Sequence, residues 1–215
     1  MIAAFFDMDH TLLRCNTGSK WIGFLRRRRE ISFPHLLRAM GWVAQYKLSI
    51  LDMESVTARV TAEMMGDSEQ EMIDKCRIFA ESEVLREIAP KAREAVARHR
   101  DQGHLLAILT SSTPYVTRIL ADHLGIQHLI CTQLEVAEGK FVGRHVRPTC
   151  YGQGKVHWAE SFASEHQIDL DRSYFYTDSF TDLPMLERVG ERRVINPDVR
   201  LRRHATQVGW SVEIW

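Results

Sequence analysis

The chain has 215 residues and 45% hydrophobic content, enough for one large domain or a core with a modest insertion. Lysine plus arginine and aspartate plus glutamate balance at 28 each, so the overall charge gives no reason to expect nucleic acid or an anionic membrane as a partner. The four cysteines, Cys15, Cys76, Cys131 and Cys150, are widely spaced and form no CxxC pair, which points to free thiols in a reducing compartment and away from a structural zinc site.

Residues 2–6 form an apolar run that reads as a buried strand. The run stops at Asp7, far short of a signal peptide, and no later segment is long enough to span a bilayer, so a cytoplasmic protein with no membrane partner is expected. Residues i and i+2 of an extended segment point to one side, which lets Asp7 and Asp9 face a single small volume. Two carboxylates crowded there repel each other unless a cation sits nearby or one takes a proton. Thr11, two residues on, reads equally as a turn hydroxyl or a phosphate contact.

Residues 16–88 hold several helical patterns and no convincing strand. They read as an inserted helical unit, with residues 1–15 and 89–215 forming the core domain. Trp21, Phe24 and Leu25, then Leu36, Leu37, Met40 and Val43, then Val56, Val60 and Met64, and later Ile73 and Phe79 recur at helical spacing. They read mainly as packing residues, some of which could line a ligand pocket. An aromatic pocket from Trp21, Trp42 and Tyr46 is the alternative to packing. Arg26, Arg27, Arg28 and Arg29 read as a solvated helix end, where cations are favoured, and as irrelevant to turnover of a small substrate.

Pro90 opens a helix over 91–102 that Gly103 closes, and Thr113-Pro114 opens another that stops at Gly125. Ser112 and Thr113 read as caps of the latter. Strand-like runs fall at 105–109, 128–131, 174–177 and 193–195, and a hairpin at 134–143 turns at Glu138-Gly139. Strands alternating with helices predict an α/β fold, a Rossmann-like doubly wound and mostly parallel sheet. Trp210 and Trp215 read as packing near the carboxyl end.

In such a sheet ligands bind beyond the carboxyl ends of the strands, where strand order reverses. Three expected strand ends carry acids or hydroxyls: Asp7 and Asp9; Thr110, Ser111 and Ser112; and Asp178, Ser179, Thr181 and Asp182. Lys155 lies between the second and third. Asp7, Asp9 and Asp178 are hard oxygen donors suited to Mg²⁺. A phosphate held there needs further neutralisation, for which Lys155 and Ser111 are the candidates. One carboxylate could then act as nucleophile and form an aspartyl-phosphate, and a second as general acid and base.

Asp7-Met8-Asp9-His10-Thr11, the strand-end Ser111, Lys155 and Asp178-Ser179-Phe180-Thr181-Asp182 together resemble the four ordered motifs of the haloacid dehalogenase (HAD) superfamily. Leu183-Pro184-Met185-Leu186, Val189-Gly190 and Val194-Ile195-Asn196-Pro197-Asp198 are similar to its phosphoserine-phosphatase-like branch, subfamily IB. The resemblance covers nearly the whole core but not the insertion. It implies Asp7 as nucleophile, Asp9 as general acid/base and metal ligand through its backbone carbonyl, and Asp178 as the second protein ligand to Mg²⁺. It further implies that Asp182 supports the metal site or orients Lys155. Ser111, or Thr110 if the strand end is displaced by one, would hydrogen-bond the phosphate, and Lys155 would hold the phosphoryl group and Asp7. The insertion would be a C1 cap that closes over a small phosphorylated metabolite.

Two departures bear on the substrate. Phosphoserine phosphatases typically carry a glutamate near the position of Asn16, and Ser-Gly-Gly where this chain has Ser111-Ser112-Thr113. Asn16 and Ser112 are therefore candidate substrate-pocket residues, and His10 reads either as a third or as a local structural residue. The leading expectation is a Mg²⁺-dependent phosphomonoesterase. A phosphotransferase or mutase on the same fold, or a catalytically idle module that binds a phosphorylated metabolite, are the alternatives.

Overall fold

The computed structural model describes residues 1–47 and 52–215. The packing expected of Leu36, Met40 and Val43 and the pocket role considered for Tyr46 lie outside the described side chains. Six parallel strands form the main sheet: β1 (Ala3–Phe6), β2 (Leu105–Thr110), β3 (His128–Cys131), β6 (Tyr174–Thr177), β7 (Glu191–Ile195) and β8 (Val212–Glu213). Their spatial order is β3-β2-β1-β6-β7-β8. β1 sits between β2 and β6, so the order of connection reverses beside it, and its carboxyl end opens at the switch point.

β1 has no polar residue and is buried throughout, as a central strand covered on both faces must be. Its alternation divides the core. Ala4 and Phe6 join an apolar layer with Leu106, Ile108 and Leu120. Ala3 and Phe5 face the opposite layer with Ala107, Val156 and Phe175. The helices α5 (Pro90–Asp101) and α6 (Pro114–Leu124) begin with the prolines that marked them, and α7 (Gln153–Glu165), α8 (Leu183–Arg188) and α9 (Val199–Val208) complete the alternation. The α/β parallel-sheet expectation is borne out. Thr110 extends β2 by one residue, β7 begins two residues earlier than expected, and β8 was not anticipated. Trp210 and Trp215 pack against opposite core layers.

Between β1 and α5 the chain forms α1 (Thr17–Arg27), α2 (Phe33–Lys47), α3 (Met53–Glu63) and α4 (Glu69–Phe79). The Leu13 and Ile88 backbones pair where this segment leaves and rejoins the core. A hairpin of β4 (Leu134–Ala137) and β5 (Lys140–His145) turns at Glu138 and Gly139, both with positive φ, the backbone a two-residue hairpin requires. It supports the helical segment from below. Gly66 N–H donates to the Phe141 carbonyl at 2.8 Å, and the Glu54 carboxylate on α3 accepts from Thr149 N–H at 2.9 Å and contacts His145 Nε2 at 2.8 Å. The arginine run closes α1. Arg27 pairs with Glu83 and Arg28 with Glu30, and all four side chains lie on the solvent side.

Candidate active site

The site begins where β1 ends. Asp7 leaves the strand in extended conformation, its N–H still bonded to the Tyr176 carbonyl of β6 at 2.9 Å. The chain then turns sharply. Asp9 is extended and His10 takes φ +52°, a left-handed conformation tolerated by few side chains other than glycine. The His10 carbonyl is held by Asn196 Nδ2 at 2.8 Å, from beyond the end of β7. Past this kink the Asp7 and Asp9 carboxylates take different partners while lining one cavity.

Asp7 is nearly buried and points inward. Lys155 Nζ, from the first turn of α7, donates to Asp7 Oδ1 at 2.7 Å and to Asp182 Oδ2 at 2.7 Å. Thr177 Oγ1 donates to the same Asp182 oxygen at 2.6 Å. Lys155 and Asp182 are each only 2% exposed, so this is a fully interior carboxylate–ammonium–carboxylate row. Gly154 lets α7 approach closely enough: a Cβ there would fall 1.9 Å from the Thr149 carbonyl oxygen. Burial alone would weaken the Lys155 ammonium, but Asp182 and Asp7 outweigh it and hold the proton more tightly than in water. Burial pushes the Asp7 carboxyl up to about 6, with Lys155 opposing and Asp182 adding to the rise.

Asp9 faces the helical segment. Its Oδ1 accepts from Thr17 N–H at 3.0 Å and Thr17 Oγ1 at 2.7 Å, and its Oδ2 from Asn16 Nδ2 at 2.8 Å. Asn16 also caps α1, its Oδ1 accepting from Ser19 N–H at 2.8 Å. Desolvation still pushes the Asp9 carboxyl up to about 7, helped by the Asp7 charge and opposed by Thr17. Asp178, at the end of β6, is raised well above the ordinary carboxylate range, first by desolvation and then by the neighbouring Asp7, Asp182 and Asp9. Three carboxyls that all resist ionisation mark a place short of positive charge, even with Lys155 present.

That deficit fits a divalent cation. Among the described residues no three histidine, cysteine, aspartate or glutamate side chains gather as a ready metal cage. Mg²⁺ suits such a sparse, all-oxygen donor set, because it commonly takes one or two carboxylates and completes its shell with water and phosphate oxygens. Asp7 and Asp178 are the side chains that could hold it, since the Asp9 carboxylate is committed to Asn16 and Thr17.

These groups floor a cavity of about 640 Å³ that also takes in Thr110, Ser111, Ser112 and His10. The structure thus brings Asp7, Asp9, His10, Asn16, Ser111, Ser112 and Asp178 to one cavity, with Lys155 and Asp182 directly beneath it. Several expectations change. Asn16 lines the cavity and is at the same time a helix cap that donates to Asp9. Thr113 stands at the amino end of α6, yet its side chain makes no capping bond, and Ser112 faces the cavity. Thr11 Oγ1 is buried with no hydrogen-bond partner among the described residues, so it is neither a turn hydroxyl nor a cavity group. Trp21 stacks on Phe24 and meets Phe79 edge-on, but it and Trp42 also line the cavity. Sequence reasoning missed Thr17, Asn196 and Asp198. The last two stand at a strand end, the signal that could have found them.

A parallel sheet with three strand ends that carry acids or hydroxyls around a switch point, and a helical segment over the opening, defines a class of α/β hydrolytic enzymes. Residues 4–187 match the family model described as haloacid dehalogenase-like hydrolase, and the chain belongs to that family. It is 31% identical over 217 residues to the phosphoserine phosphatase SerB1 of Mycobacterium tuberculosis, covering 98% of this chain and 70% of that one. It is 26% identical over 214 residues to a histidinol-phosphatase of Neisseria meningitidis, covering 97% and 96%. A crystal structure of a protein of unknown function from Bordetella pertussis superposes with a TM-score of 0.88 at 29% identity, covering 98% and 97%. The chain is an HAD-type hydrolase of the phosphoserine-phosphatase-like kind, and the relatives it matches include a phosphoserine phosphatase and a histidinol-phosphatase.

Proposed function

We propose that the chain is a Mg²⁺-dependent phosphomonoesterase that hydrolyses a small phosphorylated metabolite through a phosphoryl group carried on Asp7. The observation that carries this reading is the interior Asp7–Lys155–Asp182 row at 2.7 Å on each side, next to a separate carboxyl, Asp9, poised near neutrality. Lys155 fixes the Asp7 carboxylate and offers positive charge to the phosphoryl oxygens. Asp182 and Thr177 keep Lys155 in place, a positioning role. Ser111 stands where its hydroxyl would meet a phosphate oxygen. When bound by Asp7 and Asp178, Mg²⁺ would neutralise charge on the phosphoryl group and between the carboxylates.

In the first step an Asp7 oxygen bonds to phosphorus and the phosphorus–alcohol oxygen bond breaks. Asp9 gives its proton to the departing oxygen. In the second step Asp9 takes a proton from water as the water oxygen attacks phosphorus, and the bond to Asp7 breaks to release inorganic phosphate. A group with its pKa near 7 serves both directions. The helical segment over residues 16–88 acts as a cap that excludes bulk water from the reacting phosphoryl group.

The test is phosphate release from an aryl phosphate with Mg²⁺. Asp7→Asn abolishes it while the protein keeps its cooperative thermal unfolding. Full activity in that variant overturns the mechanism.

A further inference from the structure

The cavity is two-faced. Its floor is the set of carboxyls and hydroxyls described above. Its roof comes from the helical segment and consists of Trp21, Ile22, Trp42, Met53, Val56 and Val60. No charged side chain belongs to that roof, and no lysine or arginine lines the cavity, among the described residues. Two of the polar groups at the rim, Asn16 and Asp198, are already engaged. Asn16 caps α1 and donates to Asp9. Asp198 accepts from Phe180 N–H at 2.7 Å through one oxygen and from Leu201 N–H at 2.8 Å through the other.

From this we infer, building on the phosphomonoesterase reading, that the physiological substrate is the phosphate ester of a hydrophobic or aromatic alcohol that carries no carboxylate. A phosphate at the floor directs the rest of the substrate towards the roof, where indole and aliphatic surface meet it. Apolar groups gain by leaving water there. A substrate carboxylate would have to shed water in a cavity lined by Asp7, Asp9, Asp178 and Asp198, with no lysine or arginine among the described roof residues to receive it. An uncompensated charge in such a place is strongly disfavoured. The apolar roof therefore selects against amino-acid phosphates by stripping water from the carboxylate without offering it a partner among the described residues, rather than by a clash.

A matched series tests this, because para-ethylphenyl phosphate, tyramine phosphate and O-phosphotyrosine present the same aryl phosphate and differ only in the tail. The expected kcat/KM for ethylphenyl phosphate exceeds that for O-phosphotyrosine by about a hundredfold, equivalent to two tenfold affinity steps. Tyramine phosphate, lacking the carboxylate, falls on the ethylphenyl side. Val56→Arg supplies a cation to the roof and narrows the gap between ethylphenyl phosphate and O-phosphotyrosine at least about tenfold. Equal or faster turnover of O-phosphotyrosine by the unaltered enzyme overturns the inference and leaves the phosphatase reading standing. Release of phosphate from none of the three, with Mg²⁺ present, overturns the phosphatase reading and the inference with it.

Discussion

Replacing Lys155 by methionine removes the cation that bridges Asp7 and Asp182 and leaves two carboxyls facing each other in the interior. Breaking a buried ion pair from one side typically costs about 3–5 kcal/mol. For a chain of this length each kcal/mol moves Tm by about 2–4 °C, so Lys155→Met should lower Tm by roughly 6–20 °C. The deficit has a pH signature. Without the lysine the Asp7 carboxyl loses the charge that opposes its rise on burial and holds its proton more tightly in the folded than in the unfolded chain, so the penalty grows as pH rises through its folded pKa and shrinks on acidification. Thermal unfolding of both proteins at pH 5 and pH 8 should show the larger difference at pH 8. The double variant Lys155→Met/Asp182→Asn removes one of the opposed charges while an amide oxygen can still accept from Thr177. It should recover at least about half of the lost stability and none of the activity. A deficit below about 1 kcal/mol, the worth of an exposed pair, or no recovery in the double variant, would refute the reasoning.

Asp178→Asn relieves repulsion among raised carboxyls, so metal-free protein should unfold at higher temperature than the parent at pH 8. The same variant should lose most of the Mg²⁺-induced rise in Tm, and an undiminished rise would remove Asp178 from the metal site. His99 is 1% exposed, with Nε2 at 2.8 Å from the Tyr176 hydroxyl and Nδ1 at 2.8 Å from His104. Burial first, then the charges of His104, Arg98 and Arg193, lower its pKa from 6.5 to about 4. Between those values the unfolded chain binds the extra proton, so this group removes stability as pH falls through the window, by up to about 3 kcal/mol. His99→Gln should flatten that acid-side loss relative to the parent in urea titrations, and an unchanged slope would contradict the assignment. Replacing Arg26, Arg27, Arg28 and Arg29 together by glutamine should change kcat/KM for a small aryl phosphate by less than about twofold, as expected of solvated charges and exposed pairs.

The strand ends were legible because a buried parallel strand is a short apolar run, and the first polar residues after it must lie at the sheet's carboxyl edge. Asp7, Ser111 and Asp178 were found that way, whereas the row of Asp7, Lys155 and Asp182 beneath them was implied by the family resemblance. The roof was not legible. Val56, Val60 and Trp21 recur at helical spacing whether they face a solid core or a hollow one, since periodicity reports an inward face and not what fills it. Thr17 escaped because its link to Asp9 depends on the left-handed turn at His10, which no spacing announces. β8 is two residues long, too short for any alternation to emerge. Asn196 and Asp198 were visible as part of a similar stretch of sequence, but the bond from Asn196 to the His10 carbonyl and the bond from Phe180 N–H to Asp198 are tertiary.

The account depends most on Asp7 being the atom donor that takes the phosphoryl group. The enzyme should be mixed with an aryl phosphate and Mg²⁺, quenched in acid during turnover, reduced with borohydride, and digested for peptide mass spectrometry. Reduction of an acyl phosphate converts aspartate to homoserine, so homoserine should appear at position 7, and nowhere in protein quenched without substrate. Rapid turnover with no homoserine at position 7, or with homoserine at Asp9 or Asp178 instead, would contradict the central claim.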